Sequence, residues 1–113
     1  MPLTADGFRR LALSLPGVVE DAHMGHPDFR VGGRIFATLG APDPEWGMVK
    51  LTPEQQQVFL AEHPEAFEPE SGAWGRSGST RVHFDKVTVD ALGNALTSAW
   101  QNAQNSKKPK KNR

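Results

Sequence analysis

Arg30, Arg34, Lys50 and Arg81 sit in short segments where polar and apolar residues alternate, and Arg76 follows Trp74 by two positions. Alternate side chains of a strand share a face, so cations spaced this way can line one surface. Guanidinium and ammonium groups suit phosphate oxygens, and an indole offers a plane on which a base can stack. Arg30, Arg34, Lys50, Trp74, Arg76 and Arg81 are therefore the candidate nucleic-acid-binding residues, with His23 and Trp46 as aromatic neighbours. The competing reading makes them ordinary solvated strand residues that pair with Glu20, Asp28, Glu45 and Asp85.

Other chemistries find less footing. His23 and His26, with His83 elsewhere, have ligand-type side chains, but a metal site needs converging geometry and a carboxylate or third histidine. The triplet Gly25-His26-Pro27 reads as a turn, so structural histidines are expected and no metal or cofactor is assigned. The chain has no cysteine, which removes disulfides and thiolate sites. Gly75-Arg76-Ser77-Gly78-Ser79 has neither the strand-to-helix context of a nucleophile elbow nor the Gly-Lys-Thr ending of a phosphate loop. Glu20 and Asp21 are consecutive in an extended run and point to opposite sides, which leaves no shared acid–base site. No catalytic residue is assigned, and the expected activity is non-enzymatic.

Charge is segregated along the chain. The formal net charge is zero, yet Lys107, Lys108, Lys110, Lys111 and Arg113 place five positive charges in the last seven residues. Positions 1–106 therefore hold eight basic residues against thirteen acidic ones, a net of −5. Polynucleotide affinity depends on neutralised phosphates, so an acidic body must gather its cations on one side to bind. The basic end can add non-specific phosphate contacts.

The elements that must position these residues follow from periodicity. Thr4 caps a first helix with Phe8, Leu11, Ala12 and Leu15 on one face, and Leu15-Pro16-Gly17 stops it. Val18 to Met24 reads as a strand. Phe29–Val31 and Arg34–Leu39 form a hairpin about Gly32-Gly33, because both glycines can take positive φ. Simple alternation in Arg34–Leu39 sets Ile35, Ala37 and Leu39 on one face, with Arg34, Phe36 and Thr38 on the other. A loop over Ala41 to Glu45 leads to a strand from Trp46 to Leu51. Thr52-Pro53-Glu54-Gln55 is a capping box that opens a peripheral helix to Glu62. Phe67 to Gly78 reads as a loop with a short extended piece, and Thr80 to Phe84 as a strand. Thr88 caps a last helix with Val89, Leu92, Leu96, Ala99, Trp100 and Ala103 at helical spacing.

Interrupted strands with short turns and three helices imply an α+β, single two-layer domain. Its mostly antiparallel sheet has helices packed on one side. The domain is assigned to residues 1–104, with a disordered basic tail over 105–113. No apolar run approaches a membrane span and the first residues lack a signal-peptide core, so a cytoplasmic monomer is expected.

Several marks recur in a known family: Leu15-Pro16-Gly17 with Glu20, Gly25-x-Pro27-x-Phe29-Arg30-Val31, and Arg34-Ile35-Phe36-Ala37. Val49-Lys50-Leu51-Thr52-Pro53-Glu54, Trp74-Gly75 and Ala99-Trp100 follow in the same order. The sequence thus resembles the MmcQ/YjbR-like family of small bacterial domains with a "double wing" fold. That resemblance implies DNA binding, with a possible regulatory role, by the sheet face and hairpin wings. One departure stands out: similar sequences carry Gly-Trp-Thr where this chain has Gly78-Ser79-Thr80. The alternative is a small-ligand or protein-interaction module with no nucleic-acid role.

Overall fold

The computed structural model describes residues 3–23, 25–40 and 46–106. Helix α1 (Ala5–Leu13) leads into strands β1 (Val18–His23), β2 (His26–Val31), β3 (Arg34–Leu39) and β4 (Trp46–Lys50). Helix α2 (Pro53–Glu62), β5 (Phe67–Pro69), α3 (Gly72–Arg76), β6 (Ser79–His83) and α4 (Val89–Ser106) complete the chain. The six strands form one sheet in the order β1-β2-β3-β4-β6-β5, and every neighbouring pair is antiparallel.

Local signals explain the helix starts. The Thr4 side chain accepts a hydrogen bond from the Gly7 N–H. Thr52 and Gln55 exchange the reciprocal bonds of a capping box, with Pro53 in the first helical position. The Thr88 hydroxyl accepts from the Ala91 N–H. Gly32 and Gly33 take φ of 60° and 82°, which lets a two-residue turn join β2 to β3 with the correct twist.

The core lies between the sheet and helices α1 and α4. Phe8, Phe29, Phe36, Phe67, Leu92 and Leu96 are among its wholly buried side chains. Phe8 is tilted against both Phe29 and Phe84, with ring centroids 6.0 and 5.6 Å away. Glu20 also points to this side of the sheet, where Arg9 of α1 donates to it at 3.0 Å. Helix α2 is peripheral, as its thin apolar stripe implied. Gln56 is its buried residue, and Val58 is 52% exposed.

Four expectations need correction. His26 and Pro27 belong to β2, not to a turn, and pair with His23 and Ala22. Pairing of β2 with β3 begins only at Asp28, so Pro27 sits at a ladder end, where a missing N–H costs little. The segment 67–78 contains the short helix α3, which has too few residues to show a periodic stripe. Simple alternation fails in β3 because the β2–β3 register shifts between Phe29 and Arg30. Phe29 faces Ala37 but Arg30 faces Ile35, so Phe36 is the extra residue of a bulge. Ile35 therefore joins Arg30, while Phe36 is buried in the core. Finally, Asn105 and Ser106, expected to lie outside the last helix, continue α4.

The basic residues 107–113 and the Ala41–Glu45 loop lie outside the described residues. Val89, in the first turn of α4, is 58% exposed despite its helical spacing. Trp100 is partly buried against the core, and its indole N–H donates to the Pro16 carbonyl at 2.9 Å. Among the described residues, no helix is long and apolar enough to cross a membrane.

Candidate nucleic-acid interface

Strand alternation sends Arg30, Lys50 and Arg81 to the sheet face opposite α1 and α4, whereas Arg34, paired with the core residue Val31, stands on the helix side at the end of the sheet. The pairings place Arg30 beside Ile35, Thr38 beside Met48, Met48 beside Arg81, and Lys50 beside Ser79. Two adjoining concavities share Ile35 and Lys50 as a common wall, the smaller on this outer face and the larger at the end of the sheet against α4.

The larger is a groove of about 550 Å³ beside the β2–β3 turn, where the hairpin passes the C-terminal part of α4 and the start of α2. Arg30, Arg34 and Lys50 line it together with Thr52, Ser77 and Asn102. Asn102 is held in place: its amide donates to the Lys50 carbonyl at 3.3 Å and to the Gln55 Oε1 at 2.7 Å. These bonds tie α4 to the end of β4 and to the capping box of α2.

The smaller depression, about 320 Å³, is bounded by Ile35, Thr38, Met48, Lys50, Glu70, Trp74 and Ser79. Trp74 is 67% exposed, and the Lys50 Nζ lies 5.9 Å from its ring centroid. Helix α3, which carries Trp74, is anchored from beneath. The buried Gln56 side chain donates toward the Gly75 carbonyl at 3.1 Å, the Ser79 carbonyl at 3.1 Å and the Thr80 Oγ1 at 3.0 Å. Gly75 is required for the close turn at this point. A Cβ there would meet the Glu70 carbonyl oxygen at 1.8 Å.

The cations differ in how they are compensated. Arg30 donates from Nε to Asp28 Oδ1 at 2.8 Å and from Nη2 to Asp28 Oδ2 at 3.0 Å, and Asp21 lies 3.8 Å away. The Asp28 hydrogen bonds, and then the charges of Asp28 and Asp21, hold the Arg30 guanidinium above its ordinary pKa. Arg81 donates to Glu70 at 2.8 Å and lies 3.5 Å from Glu68, with its guanidinium 4.9 Å from the Trp46 ring centroid. Glu68 also contacts the His83 Nε2 at 2.8 Å, and the His83 ring meets Trp46 edge-on at 4.1 Å. Arg34, Lys50 and Arg76 have no ion-pair partner among the described residues.

The six candidate residues therefore do not form one uniform basic face. Arg30, Arg34 and Lys50 converge on the groove, and Lys50 links it to Trp74. Arg81 is absorbed by the carboxylates of Glu68, on β5, and Glu70, in the turn before α3, and Arg76 lies in the last turn of α3. The expected pairing of Asp28 with a strand cation is present. Glu20 pairs with Arg9 instead, and Glu45 lies outside the described residues. His83 is engaged by Glu68 and Trp46. Among the described residues, no group of three histidine, aspartate or glutamate side chains converges as metal ligands.

Sequence reasoning passed over Thr38, Met48, Glu70 and Ser79, all of which line the depression. Alternation could have placed Met48 beside Lys50 on one face. Glu70 was out of reach, because its role depends on α3 and on the turn at Gly75.

A six-stranded antiparallel sheet, backed by helices and open on a mixed-charge face, defines an α+β domain of a recognisable class. The family model described as YjbR matches residues 13–102, and the chain belongs to the YjbR family. The chain is also similar to a solved structure, that of the Deinococcus radiodurans protein DR2400, whose family-model domain is DUF419. The two share 22% identity with a TM-score of 0.79, over 96% of this chain and 83% of that one. At this identity the likeness shows the fold. No curated protein matches the chain.

Proposed function

We propose that the protein binds nucleic acid, without catalysing a reaction, through the Arg30–Arg34–Lys50 groove and the adjoining Trp74 depression. The observation that carries this reading is the convergence of Arg34 and Lys50, which have no ion-pair partner among the described residues, on one concavity next to an exposed indole. Phosphate oxygens would take the cations and a base would take the ring. DNA is the polymer that the family resemblance implies, with a regulatory role as the corresponding biology. The contact area is narrower than a whole sheet face, because Arg81 is already neutralised by Glu68 and Glu70.

Fluorescence anisotropy with short DNA single strands and duplexes over a salt series tests the proposal. We expect binding at low salt, with a log–log salt slope that persists after residues 107–113 are deleted. Absence of binding by the full chain at low salt would overturn it. A slope that vanishes with the tail would move the contacts off the folded body.

A second reading, a small-ligand or protein-interaction module, is favoured by the acidic balance of residues 1–106 and by the carboxylates set against Arg30 and Arg81. It predicts no polynucleotide binding at any salt concentration.

A further inference from the structure

We infer that the depression under Trp74 receives a single unpaired nucleobase and that guanine is the base whose edge fits it. This rests on the nucleic-acid reading above and specifies the ligand of the same site.

Two buried hydroxyls in the depression have no hydrogen-bond partner among the described residues. Thr38 and Ser79 are only 6% and 5% exposed, and both line the depression. No described residue hydrogen-bonds either hydroxyl. Buried polar groups are nearly always satisfied, so two such hydroxyls on one concave surface point to a polar occupant. Glu70 supplies a third group. Its Oε1 accepts from the Arg81 Nε at 2.8 Å and from the Ser71 N–H at 3.3 Å. Its Oε2 accepts from no described residue.

The remaining wall is apolar and aromatic. Ile35 and Met48 flank the depression, Trp74 offers a largely exposed face, and Lys50 stands between it and the cationic groove. A base stacked on Trp74 would keep its phosphate within reach of Lys50. A base inside a duplex has its pairing edge occupied, so the polar groups here can read that edge only on an unpaired nucleotide.

The chemistry of the edge then selects among the bases. A carboxylate oxygen is acceptor-only, whereas hydroxyls both donate and accept. Guanine presents two adjacent donors, N1–H and the 2-amino group, beside one acceptor, O6. The open Oε2 of Glu70, with its two lone pairs, takes both donors, and a hydroxyl donates to O6. Adenine and cytosine place a ring acceptor beside their single amino group, and thymine or uracil flanks one N–H with two carbonyls. Each of these sets an acceptor against the carboxylate.

The test titrates the full chain with GMP, AMP, CMP and UMP while following the Trp74 indole N–H resonance. Trp46 and Trp100 serve as internal references. We expect GMP to shift the Trp74 signal at concentrations at least about tenfold below the others, the low end of discrimination by a paired hydrogen-bond contact. Inosine monophosphate, which lacks the 2-amino group, should fall between. Glu70→Gln should erase the preference, and Trp74→Ala should weaken a guanine-containing single strand by about tenfold or more. Equal response to all four nucleotides, or none at Trp74, overturns the inference. Strand binding that shows a salt slope but no guanine preference overturns this inference alone. Nucleotide binding at Trp74 without strand binding overturns the polynucleotide reading alone.

Discussion

Arg30 and Asp28 lie two residues apart on one face of β2, joined by bonds of 2.8 and 3.0 Å, with the Asp28 side chain wholly buried and Arg30 31% exposed. The bidentate geometry makes this a structural pair first. The carboxylate is out of water and depends on the guanidinium, while the guanidinium reaches the groove with its charge already balanced.

Asp28→Asn tests that balance. It keeps the side-chain volume, removes the negative charge and releases Arg30 toward the groove. Thermal unfolding should show a lower Tm, since a buried charged hydrogen-bonded pair is lost. DNA affinity at low salt should rise, and the salt slope should steepen by about one phosphate equivalent. Unchanged affinity would mean that Arg30 is not a ligand contact.

The uncompensated cations should behave differently from the compensated one. Arg34→Ala and Lys50→Ala should each weaken strand binding and reduce the salt slope by about one. Arg81→Ala should leave the slope nearly unchanged, because Glu68 and Glu70 already neutralise that guanidinium. Equal losses at all three positions would mean that the ligand displaces the carboxylates.

Gln56 couples stability to the site. Gln56→Leu removes the amide that bonds the Gly75 and Ser79 carbonyls and the Thr80 hydroxyl, at an expected cost of about 1–3 kcal/mol for the stranded groups. Amide exchange in residues 72–76 should accelerate more than exchange in β2 and β3. Uniform acceleration would show that α3 has no separate dependence on this residue.

Phe8 anchors α1 to the sheet between Phe29 and Phe84. Phe8→Ala should cost about 3–5 kcal/mol in denaturant unfolding. Loss of less than about 1 kcal/mol would mean that the core closes over the vacated space.

Neither aspect of pH adds a switch at Arg30. Its pKa is raised in the folded state, so its stabilisation is fully present below the ordinary arginine value and is lost only as pH rises through the higher folded one, far above neutrality. Binding variation near neutral pH would have to arise elsewhere.

Much of this was written locally. Thr4, Thr52 with Gln55, and Thr88 mark helix starts because a capping side chain bonds an N–H only a few residues away. Gly32-Gly33 marks the hairpin for an equally local reason, since both residues must hold positive φ. The alternating runs announced the strands and, with the family marks, the α+β class. The sequence alone also determined the acidic body, the basic end and the identities of the candidate cations.

What it left open was decided by contacts distant in the chain. The Phe36 bulge turns Ile35 to the side of Arg30, and it arises from pairing with β2 rather than from any preference of residues 34–39. Arg81 is neutralised by Glu68 and Glu70, which come from β5 and the turn before α3. Lys50 reaches Trp74 only because Gln56 and the Gly75 turn fix α3 beside β6. Electrostatic and packing energies depend on distance in space, and short-range patterning carries no measure of that distance.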